Sequence, residues 1–495
     1  MTNDATSDRT QGLAEVRREE GRVEERSTVF RKELGLTDLV LTQIVFVVGT
    51  IWVGTAAKLG AYQLFFWLLA ILTFYIPLAA VVIRLNRLMP LEGGLYQWAK
   101  LGFNDFVGFM VAWDLWIFGI FVMSGIGLTV ATNLSYAVGP GGRWMAENKW
   151  FITAFSCAMV GTLVGVASRG LGVGKWVHNA GSVLLLLTFL ALIGLPFVSL
   201  LRHKLPAFHP FAFAVPDLSP SNPELFTKNL NIFSKLGLGA LTGFEYVAIL
   251  AGECKTPARN IGRSVIIAAP IIALMFILGT ASVLAFVRPD EVDLIGPIAQ
   301  VLSRGFGQLG AVAASVVSLV ILALIGRLVA LMSIYLTTNA RLPMVAGWDN
   351  LLPAWFTRLH GRYKTPTNSI MVVGASALAF GLLGIAGVGM QEANQLLDTA
   401  AGIFYASTYV VLFAIPLFAA ARIGLRAPIW LRVAAASGAL VSLLYIALAI
   451  VPIVRVESRL TFAAKLIGVA LAFNLVGAAL FIAGRSRRRI APAEP

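Results

Sequence analysis

Three ionisable side chains stand out within the apolar runs of the sequence: Asp114, Glu245 and Arg327. A charge at bilayer depth costs about 2.5 to 3.5 kcal/mol on insertion scales, so each needs a partner, a cavity or a task. Glu245 has the chemistry to carry a proton, or else to accept hydrogen bonds from exposed backbone amides. Arg327 cannot be discharged in a protein. It can serve as a built-in cation, pair with Glu245, receive an acidic group, or snorkel towards water. Asp114 stands between Trp113 and Trp116 and is expected to pair with Arg84 or Arg87 at the same end of the helices. Lys58 and Asp398, near the opposite ends of their runs, form a candidate gate pair.

Weak helix formers mark two further places. The first apolar run carries Gly49-Thr50 and Gly54-Thr55, and the sixth carries Gly237, Gly239 and Gly243 between Lys235 and Glu245. Each glycine costs a helix about 1 kcal/mol relative to alanine. Unwinding at mid-membrane is tolerated only where the freed backbone lines a cavity or binds something. The two places lie five runs apart, as expected of inverted repeats that each begin with a broken helix. The alternative is that the glycines merely allow helices to pack closely.

The elements that must hold these groups follow from composition. Of 495 residues 58% are hydrophobic and only 13% charged, about half the charged share of a soluble chain. Twelve apolar runs, each near the ~20 residues that cross a bilayer as helix, recur from residue 36 onward. They are continuous rather than alternating, which excludes a barrel. The expected architecture is all-α and polytopic, with a disordered tail over 1–35, a first five-helix repeat over 36–201, a second over 229–420, two peripheral helices over 421–484, and a basic tail over 485–495. The net charge is +14, and the basic residues are concentrated in the tails and alternate loops. By the positive-inside rule this orients both termini to the cytoplasm of a cell membrane and argues against a nucleic-acid partner. The lipid bilayer is the expected surrounding.

Three segments carry a resemblance. Pro90-Leu-Glu-Gly93-Gly94-Leu-Tyr96, then Gly243-Phe244-Glu245 with Glu253-Cys-Lys255-Thr-Pro257-Ala-Arg259-Asn260-Ile261, then Asn339-Ala-Arg341-Leu-Pro343 with Ala346-Gly347-Trp-Asp349 resemble the loops of amino acid permeases of the amino acid/polyamine/organocation superfamily. The resemblance implies ten helices in two inverted repeats plus two peripheral ones, alternating access, and a central site. Its second segment would lie at the cytoplasmic side, with Lys255, Arg259 and Arg263 serving either as topology anchors or in a gate. The site residues it implies are Gly49, Thr50, Ile51, Trp52 and Gly54 on the first helix and Gly239, Thr242, Gly243 and Phe244 on the sixth. A substrate carboxylate would meet helix N-termini near Thr50 and Gly54, and its amine the carbonyls between Gly239 and Gly243. Aromatic caps would come from Trp52 and Phe244, which adjoin the breaks, rather than Tyr405 or Tyr409. Isoleucine stands at position 51 where relatives usually carry a second glycine, which narrows and stiffens the break. Sodium-coupled relatives hold an ion where the eighth helix abuts the first, the face that Arg327 occupies. Others use a lysine in the fifth helix, where residues 181–201 carry no charge.

The resulting expectation is a secondary transporter for an amino acid, by proton symport or exchange, with the positive Arg327 favouring neutral or acidic substrates over polyamines. A polyamine or organic amine carrier is the alternative within carriers, and a membrane enzyme or a channel outside them. No cofactor or metal is expected: the four histidines are scattered, and Gly170-Leu-Gly172-Val-Gly174-Lys175 lacks the preceding strand of a phosphate loop.

Overall fold

The computed structural model describes residues 32–203, 222–385, 390–453 and 458–490, with 205, 213–216, 456 and most of 13–25. Among the described residues every regular element is a helix, and one isolated bridge joins Leu34 and Cys254. In chain order the helices that matter are α1 (Leu36–Val47), α2 (Thr50–Ala57), α3 (Gly60–Leu88), α4 (Leu95–Gly102) and α5 (Asp105–Val138). There follow α6 (Lys149–Ser168), α7 (Leu171–Leu201), α8 (Pro223–Lys235), α9 (Phe244–Ile249), α10 (Pro257–Phe286) and α11 (Pro297–Gln308). The last five are α12 (Ala311–Trp348), α13 (Thr367–Ile385), α14 (Met390–Ala414), α15 (Ile429–Leu448) and α16 (Arg459–Ile490).

Ten helical spans among the described residues are long and apolar enough to cross a membrane, and the bent pair α1/α2 makes an eleventh; α13 is apolar but shorter. With no water in the hydrocarbon, helices satisfy every backbone group internally, which is why the apolar runs take this form. Burial separates centre from periphery. The span 223–249 has 94% of its apolar stretch buried, whereas α16 has 17% and exposes Leu460, Leu471, Leu475 and Ile482 as a lipid-facing surface.

Both central spans are broken. α1 stops at Val47, Val48 and Gly49 leave helical geometry, and α2 departs at 44°. α8 starts with Pro223 after Asn222, whose side chain accepts from the Leu225 amide at 3.1 Å. It widens into a π-turn over Leu236–Ala240, loses helical form at 241–243, and restarts as α9. Gly243 has φ +115°, and a Cβ there would lie 2.5 Å from the Phe46 ring. Gly243→Ala is therefore expected to combine left-handed strain of about 1–2 kcal/mol with overpacking of about 1–3 kcal/mol. A marked fall in thermal unfolding midpoint in detergent is the expected result, and an unchanged midpoint would contradict this account of the break.

The N-terminal segment departs from the disorder expected through residue 35. Among its described residues Val16 and Val23 are buried, Glu19 pairs with Lys100 at 2.9 Å, and Glu33 pairs with Lys175 at 3.0 Å. The backbone amides of Glu33 and Leu34 donate to the Glu253 carbonyl. These contacts hold the entry to α1 against the loop after α9.

Candidate functional site

The two breaks face a central cavity of about 150 Å³, walled by α1/α2, α5, the π-turn, α12 and α14. Gly49, Thr50, Ile51 and Trp52 line it from the first break, and Gly239 and Thr242 from the second. The Trp52 indole spans the two: a Cβ on Gly49 would lie 2.5 Å from its ring, and one on Gly239 2.4 Å. Both glycines make room for that ring. The amides at the start of α2 are the orphan donors of a helix N-terminus and carry its positive end.

Arg327 projects from α12 into this wall and is 1% exposed. Its Nη2 donates to the carbonyl of Val45 at 3.3 Å and to that of Val48. It thus binds the oxygens freed where α1 unwinds, and no direct pair with Glu245 forms. Nε has no hydrogen-bond partner, so the guanidinium has donor capacity beyond those carbonyls.

Glu245 lies one layer behind the cavity, fully buried. The hydroxyls of Tyr405 and Tyr409 donate to its two carboxylate oxygens at 2.5 Å each, and the Gly243 amide donates to the Tyr409 oxygen at 3.0 Å. Tyr405 also lines the cavity and stacks on Phe118 with centroids 3.9 Å apart. A carboxylate therefore reaches the cavity through one phenol.

Several expected residues lie elsewhere. Gly54 faces α11, where a Cβ would meet Pro297 at 2.7 Å, so it serves packing rather than the cavity. Gly243 packs on Phe46 behind the cavity wall. Phe244 is fully buried against Tyr75, with centroids 4.9 Å apart. Lys58 donates to the Asp290 carbonyl at 3.3 Å, not to Asp398, because the loop before α11 lies over the end of α2. Asp398 lines the cavity, and the cation that acts on it is Lys235. Asp114 is buried with Oδ1 unpartnered, while Arg84 stacks over Trp430 at 5.6 Å instead.

Lys235 and Tyr445 are contributions that spacing did not reveal. Lys235 is a charged residue inside an apolar span, so the reasoning applied to Arg327 could have found it. Tyr445 comes from α15, outside the expected repeats, and still lines the cavity.

Beneath the cavity the three sequence motifs converge. Glu92 accepts from the Gly252 amide at 2.6 Å, Arg341 pairs with Glu253, and the Tyr96 hydroxyl donates to Asp349. Lys100 bonds Asp349 at 2.8 Å. Gly94, at φ +45°, lets its loop lie against Ala248, which a Cβ would approach to 2.9 Å. Phe46, Tyr246, Tyr335 and Phe118 pack as an aromatic layer between this polar network and the cavity, with Phe46–Tyr246 centroids 4.4 Å apart and Phe46–Tyr335 4.8 Å apart.

Two carboxylates share one arginine in that network. Burial first, and then the Glu253 carboxylate, push Glu92 up to about 8, while Arg341 and the Gly252 amide pull the other way. A group whose closed-state pKa is raised favours closure fully below its solvated value of 4.5, and that contribution is lost as pH rises to about 8. Buried Cys254 reports on this closure. In a Cys157→Ser background, its labelling by a polar maleimide should rise with pH faster than in the same protein carrying Glu92→Gln. Identical profiles would contradict the sharing.

Paired broken helices around a central cavity define an integral membrane transporter. The chain belongs to the amino acid permease family, whose model matches residues 34–472. An uncharacterized transporter of Legionella pneumophila is 25% identical over 70% of this chain and 72% of its own length. The branched-chain amino acid permease BcaP of Bacillus subtilis is 22% identical over 71% of this chain and 75% of its own. The probable agmatine/putrescine antiporter AguD of Lactococcus lactis is 22% identical over 50% of each. The solved structure of MhsT in complex with L-phenylalanine shares the fold, with TM-score 0.58 and 16% identity over 83% of this chain and 97% of that one.

Proposed function

We propose that the protein is a secondary active transporter that carries an amino acid by alternating access, as proton symport or exchange. In this reading the spans number twelve, with α1/α2 counted once and α13 as the ninth. Residues 36–201 and 229–420 form two five-helix repeats of opposite orientation, and both termini are cytoplasmic. The substrate carboxylate sits between the N-terminus of α2 at Thr50 and the spare donors of Arg327. Its ammonium meets the carbonyls around Gly239 and Thr242.

The observation that carries this reading is the bond from Arg327 to the Val45 and Val48 carbonyls. A permanent cation there holds α12 against the unwound end of α1, so a substrate that also engages Arg327 biases how those helices meet. Sodium is not required, because the guanidinium supplies the positive charge those oxygens attract. Glu245, behind Tyr405, is the proton-carrying group.

Relatives whose names mention branched-chain amino acids and agmatine/putrescine leave the substrate's charge open. The positive Arg327 at the cavity favours a neutral or acidic amino acid. A ligand that binds only the folded state raises apparent stability, so a thermal-shift screen of neutral, acidic and basic amino acids against purified protein tests the proposal. A neutral or acidic amino acid should raise the midpoint. A rise with putrescine alone would replace the reading with that of an amine carrier.

A further inference from the structure

Lys235 ends α8 just before the π-turn and is 2% exposed. Its contacts are loose. Nζ donates to the Thr399 hydroxyl at 3.5 Å and lies 5.3 Å above the centre of the Tyr445 ring. The acidic group that acts on it is Asp398, next to Thr399, and Lys235 is in turn the cation that acts on Asp398. The two do not meet as a contact ion pair. Asp398 lines the cavity with Asn394 and Tyr445 beside it, whereas Lys235 stands behind that wall. Tyr445 neighbours both places: its ring lies under the Lys235 ammonium and it lines the cavity with Asp398, with its hydroxyl in the space over Gly402, where a Cβ would lie 1.8 Å away.

We propose that Lys235 is a specificity-determining residue, a tethered ammonium that offsets Asp398 at the cavity wall and thereby excludes amino acids with a cationic side chain. The proposal rests on reading the cavity as an amino acid site. Around it stand two cations, Arg327 and Lys235, and two carboxylates, Glu245 and Asp398. With Glu245 carrying its proton that set is net positive: a zwitterion adds no net charge to it, whereas a basic amino acid adds a further positive charge. Removing one member of a buried pair leaves the other uncompensated, which is strongly unfavourable. Without Lys235, the cation that Asp398 lacks is most readily supplied by the substrate. The exclusion is thus a repulsive element built into the protein, and specificity commonly depends on such elements.

The test is counterflow in proteoliposomes with glycine, L-serine and L-leucine as neutral probes and L-lysine as the basic one. Wild type should exchange at least one neutral probe and leave L-lysine at background. In Lys235→Met the ratio of L-lysine to neutral exchange should rise about tenfold or more, the factor that about 1.4 kcal/mol of differential binding gives. In Lys235→Met/Asp398→Asn that gain should disappear, because both charges are gone. A purely structural lysine would lower all exchange together and leave the ratio unchanged.

If Lys235→Met does not fold, Asp398→Asn gives the complementary reading. It leaves Lys235 unmatched and should raise L-glutamate exchange relative to the neutral probes. The proposal is overturned if wild type exchanges L-lysine as readily as the neutral probes, or if the folded variants keep wild-type ratios. Failure of wild type to exchange any amino acid would instead overturn the reading of the cavity itself.

Discussion

Arg327→Met is expected to abolish amino acid uptake while leaving folded protein in the membrane. The wild-type guanidinium bonds two backbone oxygens, those of Val45 and Val48, at the point where α1 has no helical partner for them. Hydrogen bonds to a charged group contribute about 1.5 to 3 kcal/mol each. Losing two weakens the junction between α12 and the first broken helix by about 3 to 6 kcal/mol, which is on the order of a hundredfold or more in its population. Methionine restores neither bond and supplies no charge for a substrate carboxylate. Arg327→Lys should recover only part of the activity: one guanidinium nitrogen, Nη2, bonds both carbonyls, and an ammonium that took over those bonds would have no further nitrogen to present to a substrate. Initial rates in proteoliposomes, normalised to folded protein, decide the matter. Replacing sodium by choline should leave the wild-type rate unchanged. Uptake near wild type in Arg327→Met would show that the contact is incidental.

Glu245→Gln is expected to remove proton coupling while retaining exchange. The carboxylate accepts from two phenols at 2.5 Å and is sealed from water. Glutamine keeps the shape and one acceptor oxygen but cannot bind and release a proton. An inward proton gradient should therefore no longer drive accumulation, whereas substrate-loaded vesicles should still exchange. The phenols give the prediction a direction. Tyr405 lies in the cavity wall, so under the proposed function a bound substrate would disturb the hydroxyl that holds the carboxylate, and proton affinity would respond to occupancy. If Glu245→Gln accumulates substrate with the wild-type pH dependence, the proton is carried elsewhere.

These two residues were legible in the sequence because a charge inside an apolar run is expensive wherever it points. The breaks were legible too, since Gly49 and Gly239 interrupt helices that otherwise have every reason to continue. Side-chain direction was not. Gly54 lies five residues beyond Gly49, about 140° round a helix of 3.6 residues per turn, and so faces α11 instead of the cavity. Phe244 adjoins the second break but packs on Tyr75, and it is Tyr405, a residue of α14 far away in sequence, that reaches the cavity.

The polar network beneath the cavity shows the same limit in another way. Its three motifs were readable one by one, and the fold alone brings Glu92 to Gly252, Arg341 to Glu253 and Tyr96 to Asp349. The described part of the N-terminal segment differs for another reason. Its overall polarity suggests disorder, yet Val16 and Val23 stand seven residues apart, two helical turns, with Glu19 and Arg22 between them. That spacing gives one apolar face, and the structure buries both valines.

The central claim is that the cavity between the two broken helices carries an amino acid alternately to each side of the membrane. Counterflow of a radiolabelled amino acid into proteoliposomes, loaded or not with the same unlabelled compound, tests it most directly. A carrier gives saturable uptake that internal substrate accelerates. Uptake that rises linearly with concentration and ignores internal substrate would contradict the claim and point to a pore.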